Sequence, residues 1–402
     1  MTDHYIALDV HSTFSEMAVV TKSGRLTRRE RCATTIPELV ALIESVPRPR
    51  YLTFEEGPLA DWLFRNLRAA VGRLVVCDPR RNHLIAKESD KDDPIDAEKL
   101  ARLFRGGYLK AVHHGESEER AIFKQQVGLY HDRVRQRVRA ANRIIAQVRR
   151  HGLVVQEGHF AGEEQRAEML KHLPGSEVLR ADLTMLWEWY DLLCDQEKKA
   201  RSRLVTQSAR EATIERFRAL PGIDWIRAAT FYVYVDTPWR FKKKASLWKY
   251  LGIGLERRHS GSGPTQVRVS KRCNRTLKAM IVGAAQSAIH QGDNRYLNQY
   301  LYWIEGGQSP QNARRNVARS MAATLWGMWK SGSAYRAELV RGAEAREGSV
   351  VREEGRLSGG GDPSDSMSLA RKGRSSYGMN GPAAGFCHAR RSSWTSASES
   401  PR

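Results

Sequence analysis

The strongest constraint on the fold is the order of short apolar runs between residues 5 and 77. Tyr5 to Val10 and Phe14 to Thr21 read as strands joined by the polar link His11-Ser12-Thr13, and after the turn Lys22-Ser23-Gly24 the stretch Arg25 to Cys32 returns as a third. A helix over Ile36 to Val46 is stopped by Pro47, and Tyr51 to Phe54 is again a strand. Leu59, Trp62, Leu63 and Leu67 give helical spacing over Leu59 to Ala70, and Leu74 to Cys77 is a short strand. Three hairpin strands followed by alternating helix and strand describe an α/β unit with a mixed sheet and helices on its faces.

The ribonuclease-H-like fold has this order, and acids sit where its strands end. Asp9 closes the first strand, where no local helix or turn needs a cap, and an acid at the edge of a buried strand is costly unless paired or metal-bound. Glu55 closes the fourth strand in the same manner. Alternation puts Tyr51, Thr53 and Glu55 on one face and Leu52, Phe54 and Glu56 on the other, so Glu55 is favoured as the inward acid with Glu56 its competitor. Two more acids stand in Lys91-Asp92-Asp93-Pro94-Ile95-Asp96-Ala97. Asp93 at an N-cap, Pro94 at the first helical position and Asp96 one turn on would share a face at the positive end of a helix dipole. The same spacing also suits a plain helix cap. Four carboxylates gathered at one sheet end repel each other unless a cation sits among them, and hard oxygen ligands suit Mg²⁺ or Mn²⁺. Two such ions could clamp the attacking and leaving oxygens of a phosphodiester.

Composition agrees with a polyanionic partner. In 402 residues, 66 Lys and Arg against 45 Asp and Glu leave a net charge of +21, for which nucleic acid is the usual partner. No run approaches the roughly 20 apolar residues that a membrane crossing requires, and the acid-bearing start reads as no signal peptide. Cys32, Cys77, Cys194, Cys273 and Cys387 form no C-x-x-C pair, which argues against a zinc knuckle or a disulfide frame and fits a reducing cytoplasm.

From Ser117 to Arg150 the chain reads as a long basic helix, with Val127, Val134, Ala141 and Val148 spaced by seven and Tyr130, Arg137 and Ile144 between them. Leu179, Leu183, Leu186, Tyr190 and Leu193 mark a second long helix over Val178 to Leu204. The pair suits either an antiparallel arm or a dimer zipper. Beyond Arg210, Leu220-Pro221-Gly222-Ile223 before a helix over Trp225 to Tyr234 suits a helix-hairpin-helix turn, although Asp224 stands where a second glycine is usual and a plain helix start fits as well. A basic helix over Lys242 to Tyr250 leads to a loop over Gly252 to Gly263. There Arg257, Arg258 and His259 flank Ser260, and Arg268, Lys271 and Arg272 follow. A serine hydroxyl amid cations can attack a phosphate while the cations stabilise the developing charge, and a flexible-loop serine is the plainer reading. Helices over Asn274 to His290, Arg295 to Ile304 and Asn312 to Trp329 close the region, with Trp303, Trp326 and Trp329 expected in the core. After about Ser333 the sequence turns to Gly, Ser, Arg and Glu and reads as a disordered tail.

In this order the motifs resemble those of the insertion-sequence transposases that join an N-terminal DEDD domain to a serine-bearing transposase domain, the IS-one-ten family. The likeness covers about residues 3 to 332. It rests on Tyr5-Ile6-Ala7-Leu8-Asp9, Phe54-Glu55-Glu56-Gly57, Lys91-x-Asp93-x-x-Asp96-Ala97, Leu220-Pro221-Gly222-Ile223, and Ser260-Gly261 followed by Ser270-Lys271-x-x-Asn274. The resemblance implies a RuvC-like DEDD domain over 1–115, a helical coiled-coil arm over 116–208, a mostly α-helical transposase domain over 209–332 and a tail over 333–402. It implies that Asp9, Glu55, Asp93 and Asp96 bind Mg²⁺ or Mn²⁺ and that Ser260 is the nucleophile, with Ser262 as a competitor. It also implies donor and target DNA as partners and a structured guide RNA. Because the acids and Ser260 fall in separate domains, a composite active site is expected, in a homo-oligomer, dimer or tetramer. The sequence departs from the pattern in having Glu55 two residues before Gly57 and Cys273 where a glycine is usual after Lys271. The expected function is a cytoplasmic DNA recombinase. The alternatives are a Holliday-junction-resolvase-like nuclease in which Ser260 is idle and a nucleic-acid-binding protein without chemistry.

Overall fold

The structure is a computed structural model that describes residues 2–81, 93–155, 160, 162–258, 266–270 and 272–339, with the backbone alone at 81, 93–95, 257, 258, 266 and 339. Ser260, Ser262, Lys271 and tail residues 340–402 lie outside the described residues. The chain divides into two compact units, one of residues 1–125 with 233–242 and one of 126–232 with 243 onward.

In the first unit β1 (His4–Val10), β2 (Phe14–Thr21) and β3 (Leu26–Ala33) form the expected antiparallel meander. After α1 (Ile36–Glu44), β4 (Arg50–Glu55) joins the far edge of β1 in parallel, and after α2 (Ala60–Leu67) β5 (Arg73–Cys77) joins β4 the same way. α3 (Asp93–Arg105) precedes β6 (Ala111–Val112), which the sequence reading lacks, because two residues are too few to show an alternation. The six-stranded sheet has the order β3-β2-β1-β4-β5-β6. Its two faces bury different sets. Ile6, Leu8, Leu52 and Phe54 pack with Leu39 and Ile43 of α1 and Ala60, Leu63 and Leu67 of α2. Ala7, Val20 and Cys77 pack on the other face with Leu100 and Ala101 of α3.

α4 (Glu118–Arg149) runs from the first unit into the second, where α5 (Glu163–Lys171) and α6 (Glu177–Ser208) follow. α5 was not expected, since of its nine residues only Met169 is buried. The two long helices pack within the chain, as an arm: Ala140, Ala141, Ile144 and Val148 meet Leu183, Trp187, Tyr190 and Leu193. Arg137, the charged position of the heptad, is buried because its Nε donates to Glu197 Oε2 at 2.5 Å.

α7 (Ala212–Phe217), α8 (Trp225–Val235), α9 (Lys244–Tyr250), the hairpin β7 (Leu255–Arg258) and β8 (Gln266–Val269), α10 (Arg275–His290), α11 (Arg295–Glu305) and α12 (Pro310–Ser331) complete the described chain. The stretch read as a loop from Gly252 therefore contains a strand, and Arg257 and Arg258 belong to it opposite Val267 and Gln266. Trp303, Trp326 and Trp329 are half-buried rather than core. Trp329 covers Phe217 and Tyr232, its ring 5.6 Å and 5.1 Å from theirs. The Leu220–Gly222 turn lies so close to α10 that a Cβ on Gly222, whose φ is +77°, would stand 2.3 Å from the carbonyl oxygen of Ala284. Its N–H donates to Gln291 Oε1 at 2.8 Å, so this donor is engaged within the fold. Asp224 stands at the start of α8 and accepts from the N–H of Arg227 at 2.8 Å, which makes it a helix cap in the place of the hairpin's second glycine.

Candidate functional site

The acids of the first unit share one end of the sheet by register. β1 and β4 are neighbours with Leu8 beside Phe54, both in the core under α1 and α2, so the next residues, Asp9 and Glu55, fall on the opposite face, the one α3 covers. α3 runs antiparallel to β1. Arg102 and Arg105 in its last turn donate at 2.9 Å to the carbonyls of Gly24 and Lys22, at the turn beside the start of β1. Thirteen helical residues rise about 20 Å, the length of a seven-residue strand, so the first turn of α3, with Asp93 and Asp96, lies at the end of the sheet where Asp9 and Glu55 sit. The helix dipole there favours negative charge.

Two further acids share this face and were missed. Glu16 pairs across β1–β2 with Asp9 and is only 5 % exposed, and its Oε1 accepts from Arg31 Nε at 2.5 Å. Glu98, one turn into α3, is held by Arg29 and Arg102. Burial acts to raise the Glu98 pKa, and the hydrogen bonds from Arg29 and Arg102 outweigh it and lower the pKa. The alternation Glu16, Ala18, Val20 could have found the first of these, whereas an arginine partner on a neighbouring strand leaves no local sequence signal. Asp9 Oδ2 lies 3.3 Å from His11 Nε2, whose ring stacks on Phe14.

Glu56 has a different fate from Glu55. Its N–H donates to the carbonyl of Cys77 at 2.9 Å, which carries the β4–β5 ladder one residue further and turns its side chain to the α2 face. There its carboxylate meets His114 Nε2 at 2.6 Å. Among the described residues no three His, Cys, Asp or Glu side chains stand close enough to hold a metal ion, and the Asp93 side chain is not among those described. By donor chemistry the carboxylates of the α3 face suit a hard divalent cation.

In the second unit, Arg268 on β8 and Arg272 are exposed, and Ser260 follows β7 by two residues in the segment 259–265, outside the described residues. Ser270 is buried and its hydroxyl donates to the carbonyl of Arg272, and Asn274 caps α10 by accepting from the N–H of Leu277 at 3.0 Å. Cys273 packs on Gly252, where an added Cβ would stand 2.6 Å from its sulfur.

Two family profiles match the chain in this order. Residues 6–152 match a DEDD transposase domain, and residues 214–301 match the Transposase IS116/IS110/IS902 family. The chain belongs to this IS110 family of transposases. It is 26% identical over 261 residues to a protein of Sinorhizobium fredii named as a transposase, covering 62% of this chain and 60% of that relative's length. It is 22% identical over 323 residues to the transposase for insertion sequence element IS1328 of Yersinia enterocolitica, covering 80% of this chain and 93% of the relative. With the transposase for insertion sequence element IS1111A of Coxiella burnetii it shares 20% identity over 258 residues, 62% of this chain and 69% of the relative. Among the described residues no helix is long and apolar enough to cross a membrane.

Proposed function

We propose that this IS110-family chain cuts and rejoins DNA in the cytoplasm for insertion-sequence transposition, with Asp9, Glu55, Asp93 and Asp96 as ligands for Mg²⁺ or Mn²⁺ and Ser260 as the nucleophile. The observation that carries the reading is the shared end of the sheet: Asp9 and Glu55 leave neighbouring parallel strands on the face where α3 begins. A divalent cation held there supplies Lewis-acid polarisation of a phosphodiester. The carboxylates fix its place, and the Ser260 hydroxyl attacks phosphorus. An Oγ–P bond forms as a P–O bond to one sugar oxygen breaks, the serine proton passes to a carboxylate or to water, and the departing sugar oxygen takes a proton from water. Attack by a sugar hydroxyl on the serine phosphodiester then rejoins a strand and frees the serine. Arg257, Arg258, Arg268, Lys271 and Arg272 are the cations we assign to the DNA phosphates.

The net charge of +21 supports DNA as a partner, and the guide RNA rests on the family resemblance alone. Val178, Met185, Trp189 and Leu192 lie exposed on the outer side of α6 at spacings of seven, four and three, a pattern that supports a homo-oligomer. The test is to incubate the protein with labelled DNA and its flanking RNA, denature, and look for a protein–DNA adduct. We expect an adduct that Ser260→Ala abolishes and that EDTA prevents. Mg²⁺-dependent nicks without adduct would replace the serine mechanism with that of a resolvase-like nuclease, and tight binding with neither product would leave a binding protein.

A further inference from the structure

We infer that His114 is a positioning residue for the acidic end of β4: by gripping Glu56 and Asp61 on the α2 face, it leaves Glu55 as the glutamate that serves the carboxylate cluster under α3. The inference rests on the metal reading proposed above. The side chain of His114 is 4% exposed. Its Nε2 lies 2.6 Å from Glu56 Oε2 and its Nδ1 2.5 Å from Asp61 Oδ1 at the start of α2, while its ring lies against Phe64 of the same helix, 5.5 Å between centroids. Ionised carboxylates only accept hydrogen bonds, so both ring nitrogens must donate and the ring is an imidazolium. Burial alone would lower its pKa, yet the hydrogen bonds to Asp61 and Glu56 outweigh this and raise it to about 9. Asp61, held well below the usual carboxylate range by the same hydrogen bond, also pairs with Lys124 Nζ at 3.4 Å.

The clamp is anchored on both sides. His114 follows β6 by two residues, and its neighbour His113 meets Asp236 Oδ2 through Nε2 at 2.7 Å. Arg120 donates to the carbonyl of the same Asp236 at 3.1 Å. Two consecutive glutamates at a strand end would otherwise compete for one cation, since a rotation of the chain past Phe54 exchanges them. Fixing Glu56 by a charged ring removes that freedom. Groups that orient a ligand in this way typically change metal affinity by about 10- to 100-fold when lost.

The experiment measures Mn²⁺ affinity of the full-length protein by the electron paramagnetic resonance signal of free Mn²⁺, with thermal melting of each variant alongside. Glu55→Gln is expected to abolish binding. Glu56→Gln, whose amide oxygen still accepts from His114, is expected to keep the wild-type affinity within about threefold, as a group that does not touch the ion should. His114→Ala is expected to weaken binding about tenfold, and His114→Gln, which keeps one donor and most of the volume, to lose less. A Glu56→Gln protein that loses Mn²⁺ as Glu55→Gln does would make Glu56 a ligand and overturn the inference. So would two folded His114 variants that bind as the wild type does. A wild type that binds no Mn²⁺ removes the metal reading and the role of His114 with it, and is told apart because no variant then differs.

Discussion

The helical arm and the α3 face of the sheet handle charge in opposite ways. In the arm each buried charge meets its opposite: Arg137 donates to Glu197, and Arg166 reaches Asp191 across the turn from α5 to α6. At the sheet end, several acids stand at neighbouring strand ends. Asp9 and Glu55 leave neighbouring strands on the face where α3 begins, and the further acids there, Glu16 and Glu98, are compensated by arginines drawn from β3 and α3. Paired charge stabilises a fold or at least costs it little, whereas gathered like charge is unfavourable until something else binds. On the metal reading proposed above, the contrast sets a structural use of ionisable groups beside a functional one, and substitutions in the two places should therefore act on different quantities.

The largest effect is expected at the gathered acids. Asp9→Asn removes one of the like charges, so it should leave the melting temperature unchanged or raise it, while adduct formation with DNA falls by at least about a thousandfold, roughly 4 kcal/mol of transition-state stabilisation. Parallel melting curves and adduct assays check this. An Asp9→Asn protein that unfolds more readily and still forms adduct at the wild-type rate would make the ion pair with His11 the role of Asp9.

The arm should respond in the other currency. Arg137→Met leaves Glu197 largely buried without its partner and is expected to cost about 3 kcal/mol in urea unfolding. The double change Arg137→Met with Glu197→Leu should recover most of that loss, because two apolar side chains of similar volume suit a buried seam. Neither variant should alter the Mg²⁺ concentration needed for cleavage. A double variant no more stable than the single one would mean that the pair contributes more than its own mutual compensation.

How far these differences were legible follows from the same contrast. The meander of β1 to β3, the strands β4 and β5 and the two long helices were readable because each carries its own apolar period. The places of Asp9 and Glu55 at the ends of β1 and β4 were readable because each closes such a period. What the sequence hid was pairing across distance: Arg31 with Glu16, Glu197 with Arg137, and His114 with both Glu56 and Asp61, more than 50 residues away in chain order. That Glu55 and Glu56 take opposite faces was already contained in the alternation of β4, whereas the contact that Glu56 makes with His114 was not. Arg257 and Arg258 were given to a loop because the glycines around them masked a four-residue strand.

A smaller effect should follow pH. His114 is charged in folded and unfolded chains alike below about 6.5, so its clamp contributes fully there. Between there and about 9 the unfolded imidazole is neutral while the folded one keeps its proton, so stability is lost as pH rises through that window and the contribution is gone above it. Asp61, whose pKa is depressed, contributes above the ordinary carboxylate range and loses its share as pH falls. Urea unfolding of wild type should therefore weaken from pH 6.5 to 9 by more than that of His114→Gln. Equal slopes would show that the ring holds no extra proton.

The smallest effect tests a charge that caps a helix through a backbone N–H. Asp224 accepts from the N–H of Arg227 at the start of α8, so Asp224→Ala should cost about 1 kcal/mol and Asp224→Gly only a few tenths. If the turn at Leu220–Gly222 instead presented its amides to a DNA phosphate, Asp224→Gly would complete a hairpin and remove a repelling charge, and DNA affinity would rise. The structure argues against that gain, because the Gly222 N–H already donates to Gln291 and its Cα lies against the backbone of α10. Filter binding of a short duplex at fixed salt, with urea unfolding of the same proteins, decides between the two: unchanged affinity with a small stability loss for Asp224→Ala assigns this aspartate to the helix, and tighter binding by Asp224→Gly assigns the turn to the DNA.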